Sequence, residues 1–130
     1  MSPCARPLPG RSRRAGSIAP RRTLMNLDIL TQPAVRLAIE ALQHGDHANW
    51  MAQFNTDATL TDDGLPANFH KFSEHAMGHE HFTSIDRVEN QGLDVYGGFH
   101  SDRWGNFNTY FKFHLDANGK IRQLDIGQDS

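Results

Sequence analysis

Between Gly105 and Leu115 the chain reads "GNFNTYFKFHL", with Phe107, Thr109, Phe111, Phe113 and Leu115 at alternate positions and Asn106, Asn108, Tyr110, Lys112 and His114 between them. Successive side chains of a strand point to opposite faces, so this run commits the chain to a sheet with one buried and one largely wet face. Something else in the 130 residues must cover the buried face, and a 38% apolar composition suits a single domain that does so.

Helical spacing supplies the cover. Val35, Ala38, Ile39 and Leu42 recur on one face between Thr31 and His44, with Pro33 in the first turn and Gly45 as a stop. Asp46 can cap a second helix reaching about Phe54 and burying Trp50, Met51 and Phe54. A strand is predicted at about 57–62, broken by "DDGLP"; Asn68 then opens a third helix carrying Phe69, Phe72 and Ala76, closed by Gly78. Thereafter the period becomes two. "HFTSIDRVEN", "GLDVYGGFH", "RWGNFNTYFKFHL" and "KIRQLDIGQ" predict four strands of an antiparallel meander, with turns at 90–92, 101–103 and 116–119. Gly97 and Gly98 predict a bulge or bend that curls the sheet.

Charge is unevenly spread. Residues 1–24 hold six arginines and no acid, leaving seven cations against all fifteen acids in the rest, a net of −8. A surface of that sign repels phosphate, so no nucleic-acid partner is expected. The Pro-, Gly-, Ser- and Arg-rich head lacks apolar periodicity and is predicted to be disordered. A transit peptide, a tail for anionic surfaces and an extension upstream of a true start at Met25 are all compatible with it, and the sharp change of composition at Met25 favours the last. Cys4 is the only cysteine, which excludes an internal disulfide framework and suits a reducing cytoplasm. No apolar run approaches the roughly 20 residues of a membrane span, so no membrane partner is expected.

Several residues invite chemistry. The alternation of Ala58 and Leu60 turns Asp62 toward the core side of its strand, whereas Asp63 suits a turn before "GLP". A turn role for Asp62 also stands open. His75, His79 and His81 are spaced for a metal on paper, but Gly78 breaks the helical register between the first two, so a solvated or capping role is preferred and no metal is assigned. Tyr96 and His100 share one side of their strand with Asp102 close behind; His100 is either a proton shuttle facing a pocket or an exposed residue of the outer face. Trp50, Phe54, Leu60, Phe72, Phe107 and Phe111 are core residues, some of which would wall a pocket where the core is incomplete. Trp104, Tyr110 and His114 form an aromatic stripe on the wet side, read as a homodimer interface laid sheet against sheet.

Three motifs carry a resemblance: "GD" between the first helices, an aromatic residue followed by "DAT-x-x-D" at the first strand, and "D-x-x-GKI" entering the last. Over about residues 31–128 the chain resembles the nuclear-transport-factor-2-like superfamily, which includes ketosteroid isomerases, SnoaL-like polyketide cyclases, scytalone dehydratase and limonene epoxide hydrolase. The resemblance implies an α+β cone with three N-terminal helices on a curved, mainly antiparallel sheet. It also implies that Asp62 is the counterpart of the isomerase general base. The oxyanion donors of that branch are missing: Ala38 stands where a tyrosine is required and Phe111 where a protonated aspartate is required, which argues against isomerase activity itself. The expectation is therefore a SnoaL-like domain whose apolar pocket takes a small apolar or carbonyl-bearing organic molecule, without a dissociable cofactor. Asp62 and, less directly, His100 are its candidate acid–base groups. A non-catalytic ligand-binding domain and a dimeric interaction module are the alternatives.

Overall fold

The computed structural model describes residues 27–129. The basic head of residues 1–24, with its expected disorder and upstream origin, lies outside them. A short 3-10 turn at Leu27–Ile29 leads into α1 (Pro33–His44), which begins on Pro33 and buries Val35, Ala38, Ile39, Ala41 and Leu42. Gly45 adopts a left-handed φ of 66°, so its N–H and that of Asp46 close on the carbonyls of Leu42 and Ala41. The Asp46 carboxylate then accepts from the Asn49 N–H at 3.1 Å and caps α2 (His47–Ala52). This helix stops short of the expected Phe54, because Phe54 already opens β1 (Phe54–Asp62).

A short edge strand, β2 (Leu65–Ala67), folds back on β1 and pairs Leu65 with Asp62. Nothing in the sequence signals it, since all three of its residues are exposed and no alternation develops. Asn68 caps α3 (Phe69–Ala76) by accepting from the Lys71 N–H. Five strands complete the chain: β3 (Glu80–Phe82), β4 (Arg87–Glu89), β5 (Asp94–Ser101), β6 (Gly105–Leu115) and β7 (Ile121–Gln128). The seven-stranded sheet runs β2-β1-β7-β6-β5-β3, with β4 pairing β5 as well. Only β1 and β7 pair in parallel; the other ladders are antiparallel. The architecture is a mixed α+β one, in which α1 and α2 precede the sheet and α3 is inserted between β2 and β3.

The predicted strand "HFTSIDRVEN" proves to be two. Phe82 pairs with Phe99 and Arg87 with Tyr96, so the four residues 83–86 pass opposite only Gly97 and Gly98. The bulge expected at the two glycines therefore lies in the neighbouring edge strand, while β5 itself pairs with β6 in unbroken register. Both glycines are required for this. A Cβ on Gly97 would overlap the Ser84 carbonyl oxygen, and one on Gly98 would press on the hydroxyl of Thr83.

The helices cover one face of the sheet, and their contacts explain their positions. Trp50 is fully buried and donates its indole N–H to Ser73 Oγ at 2.9 Å, joining α2 to α3. The Gln43 amide both accepts from the Phe82 N–H and donates to the Phe82 carbonyl, each at 2.8 Å, which fastens α1 to β3. Phe82, Phe99 and Phe111 cluster beneath, with ring centroids 4.9–5.5 Å apart. The lengths do not match, however. The 11 residues of β6 extend about 36 Å, whereas the 12 residues of α1 span about 18 Å and the other helices less. Accordingly Phe113 and Phe111 are buried, but Phe107, nearer the β5–β6 turn, is only partly so.

Because Ser84 is tied to Gly98 through its own N–H and its hydroxyl, its carbonyl cannot retreat without loosening these bonds, and Gly97→Ala is expected to destabilise the domain by about 1–3 kcal/mol. Urea unfolding would register this as a lower midpoint with an unchanged m value.

Candidate functional site

Where the helical cover ends, the sheet encloses an open cavity of about 1020 Å3. Phe72, Phe99, Phe107, Phe111 and Ile126 form its apolar floor. Its rim is strongly polar, so the hydrocarbon-lined pocket expected from the sequence is instead amphipathic. Among the expected pocket residues, Phe72, Phe107 and Phe111 line the cavity. Trp50, Phe54 and Leu60 do not; they lie within the packed core, where Trp50 and Phe54 stack at 4.7 Å.

Asp62 is positioned by the end of β1. It shares the face of Ala58 and Leu60 and lies beside Ile126 of β7 in the parallel ladder. Its carboxyl lines the cavity and makes no hydrogen bond or ion pair among the described residues. The residue is exposed at the lip, and partial desolvation on its cavity side, then the charge of Asp63, raises its pKa above the ordinary aspartate value. Asp63 has a different part. It adopts φ 52°, donates its N–H to the Ile126 carbonyl and accepts from the Gln128 N–H at 2.9 Å. It is the turn residue that pins β1 to β7 and thereby holds Asp62 at the lip.

A second carboxyl, absent from the residues that the sequence singles out, joins it. Glu80 lies on β3 opposite Ser101, and the buried Ser101 hydroxyl donates to Glu80 Oε2 at 3.0 Å. Burial raises its pKa and outweighs the opposing hydrogen bond from Ser101, with the charges of Asp62 and Asp102 adding to the rise. In "HEH" the histidines draw attention away from Glu80. The alternation of Glu80 with Phe82 in "EHF" is the available signal, since Phe82 is a core residue.

His100 is not among the residues lining the cavity. It alternates with the buried Phe99 and lies on the outer face, its ring 5.3 Å from that of His81. Tyr96 shares that face, covered by the Arg87 guanidinium at 3.8 Å from the ring centroid. The two ring nitrogens of His100 face Asn106 Oδ1 at 2.7 Å and Asp102 Oδ1 at 2.9 Å, an arrangement that only the imidazolium fully satisfies. Hydrogen bonds to Asn106 and Asp102 accordingly raise its pKa. Asp102 also accepts from His79 Nδ1 at 3.1 Å, and the two histidines lower its pKa. Asp102 and His79 line the cavity, so His100 reaches it only through Asp102. Trp104, expected on the outer sheet face, precedes β6 in the turn, is 69% exposed and stands at the cavity rim. Among the described residues no three His, Cys, Asp or Glu side chains are arranged to hold a metal.

Two measurements test this electrostatic arrangement. Asp63→Asn keeps the acceptor for Gln128 but removes a negative charge, so the Asp62 carboxyl, observed by carbon-13 NMR, should titrate at lower pH than in the parent protein. For His100, a folded pKa above the ordinary 6.5 means a contribution to stability that is complete below that value and is lost as pH rises through the folded one. The destabilisation caused by Asp102→Asn in urea should therefore be larger in mildly acidic solution and shrink as the solution becomes alkaline.

No protein-family model matches the sequence, and no curated protein matches it. Solved structures do. An NTF2-like protein of unknown function from Cytophaga hutchinsonii superposes with a TM-score of 0.61 at 14% identity, over 84% of this chain and 95% of its own. A proposed polyketide cyclase from Sinorhizobium meliloti gives 0.59 at 16% identity, over 72% of this chain and 92% of its own. The orange carotenoid protein of Anabaena (Nostoc) sp. PCC 7120, solved binding canthaxanthin, gives 0.59 at 18% identity over 90% of this chain, which spans only 43% of that longer protein. The half-covered sheet, the cavity at its open end and these superpositions together establish that the chain has the nuclear-transport-factor-2-like fold.

Proposed function

We propose that this protein binds a small organic molecule in the cavity and acts on it by acid–base chemistry, with Asp62 as the proton-transferring group. One observation carries this reading: an unpaired carboxyl at the lip of a cavity whose floor is Phe72, Phe107 and Phe111. A carboxylate with a raised pKa is a stronger base than an ordinary one. Glu80, held by Ser101 on another wall, is the candidate for returning or accepting the second proton. The chemistry requires no dissociable cofactor. Proteins of this fold that bind canthaxanthin or are proposed to cyclise polyketides are consistent with a small organic guest.

A second reading, in which the cavity holds its guest without transforming it, is favoured by the absent oxyanion donors. Ala38 is fully buried on the inner face of α1, and Phe111 is a ring of the floor. The outer sheet face, with Tyr110, Lys112 and His114, is the proposed homodimer surface; Trp104 no longer belongs to it. The proposed setting remains the cytoplasm. Among the described residues no helix is long and apolar enough to cross a membrane.

A carbon-acid probe separates the two readings. With 5-nitrobenzisoxazole, whose ring opens when a base removes its C–H proton, the protein should exceed an equal concentration of acetate by at least about tenfold, and Asp62→Asn should abolish the excess. Binding of the probe, read from tryptophan fluorescence, should persist in that variant. Binding without turnover in the parent protein would leave the holding role alone. For the dimer, Tyr110→Glu should move the sedimentation coefficient from that of a dimer to that of a monomer.

A further inference from the structure

If the cavity is a small-molecule site, as proposed above, its lining also constrains the charge of the guest. That lining is electrostatically one-sided: five carboxyl groups, Asp62, Asp63, Glu74, Glu80 and Asp102, face one guanidinium, Arg103, and two imidazoles, His75 and His79. With all five ionised, even protonation of both rings leaves an excess of negative charge. Some of this charge is occupied: Asp63 by the Gln128 N–H, Glu80 by Ser101, and Asp102 by His79 and His100. The carboxyls of Asp62 and Glu74 make no hydrogen bond or ion pair among the described residues. Arg103 does not neutralise them; it forms no ion pair among the described residues and lies 5.0 Å from the Trp104 ring centroid.

The other half of the wall is aromatic. Phe72, Phe99, Phe107 and Phe111 line the floor and Trp104 the rim. Ring faces carry negative potential and attract cations, and the excess of carboxylates around the exposed rim adds a field of the same sign. A guest carrying a carboxylate or phosphate would be repelled, and a neutral one would gain only from burial of its apolar body. We propose that the cavity selects an organic cation, an ammonium group on a small apolar body, with Asp62 against the charge and the phenylalanine floor against the body. The aromatic floor distinguishes this from an inorganic cation site, which would require convergent oxygen ligands on all sides.

Three probes of nearly equal size test the charge directly: 2-phenylethylammonium, 2-phenylethanol and phenylacetate, each titrated calorimetrically into the full-length protein at neutral pH. The ammonium compound should bind at least about tenfold more tightly than the alcohol, and phenylacetate more weakly than either. High salt should weaken the ammonium complex and leave the alcohol complex nearly unchanged. Asp62→Asn should bring the ammonium compound to within about twofold of the alcohol. Equal binding of alcohol and ammonium, tighter binding of phenylacetate, or an undiminished ammonium preference in Asp62→Asn would overturn the proposal while leaving the small-molecule reading intact. Failure of all three probes to bind would overturn both.

Discussion

The long strand β6 sets the terms for everything around it. Its inner row must be kept from water, yet only part of the row lies beneath the helices. At the covered end Phe113 is almost fully buried, and Phe111, equally buried, marks the boundary between core and cavity. At the other end Phe107 and Thr109 face the cavity. A sheet longer than its helical cover leaves a hollow at one end by geometry alone, and the aromatic residues that would otherwise have been core become its floor. The same strand thus supplies both the packing that stabilises the fold and the apolar surface that a guest would meet.

Around that hollow, polar groups are held by pairing between strands rather than by helices. The end of β1 is fixed against β7 by Asp63, and Gly127 leaves room for this: a side chain there would collide with Asp63 Oδ1 and the Tyr110 hydroxyl. Asp62 is consequently placed at the lip without needing a partner of its own. On the far side, Ser101 is buried, donates to Glu80 and accepts from the N–H groups of Arg103 and Trp104. One hydroxyl therefore orients a carboxyl and shapes the turn that carries Trp104 to the rim. Asp102 in that turn joins the two faces of the sheet through His79 and His100.

Electrostatics and packing pull in the same direction at this site. Desolvation chiefly, and neighbouring carboxylates in addition, shift Asp62 and Glu80 upward, while Asp102, satisfied by two imidazoles, shifts downward. An excess of negative charge that the protein does not neutralise internally raises proton affinity and favours a positive guest for the same reason. The proposed acid–base function and the proposed cation selection are two consequences of one field.

Much of this is legible in the residues themselves. The period-two run of β6, the stop and cap at Gly45 and Asp46, the Asn68 cap and the inward side of Asp62 are local properties, fixed by the alternation of a strand or by a side chain bonding its own backbone a few residues away. The "DAT-x-x-D" and "D-x-x-GKI" motifs carry the resemblance to the fold. What local sequence cannot hold is anything that depends on which strand lies beside which. Residues 83–86 look like continuous strand because only pairing with Gly97 and Gly98 reveals the bulge. Glu80 and Ser101 are 21 positions apart and become a unit only across β3 and β5. A pocket role for His100 stays open in the sequence because the facing of its strand depends on the partner register. Trp50, Phe54 and Leu60 look like Phe107 in sequence; the extent of the helical cover, a property of the assembled layers, decides which apolar side chains pack solidly and which are left to line a cavity.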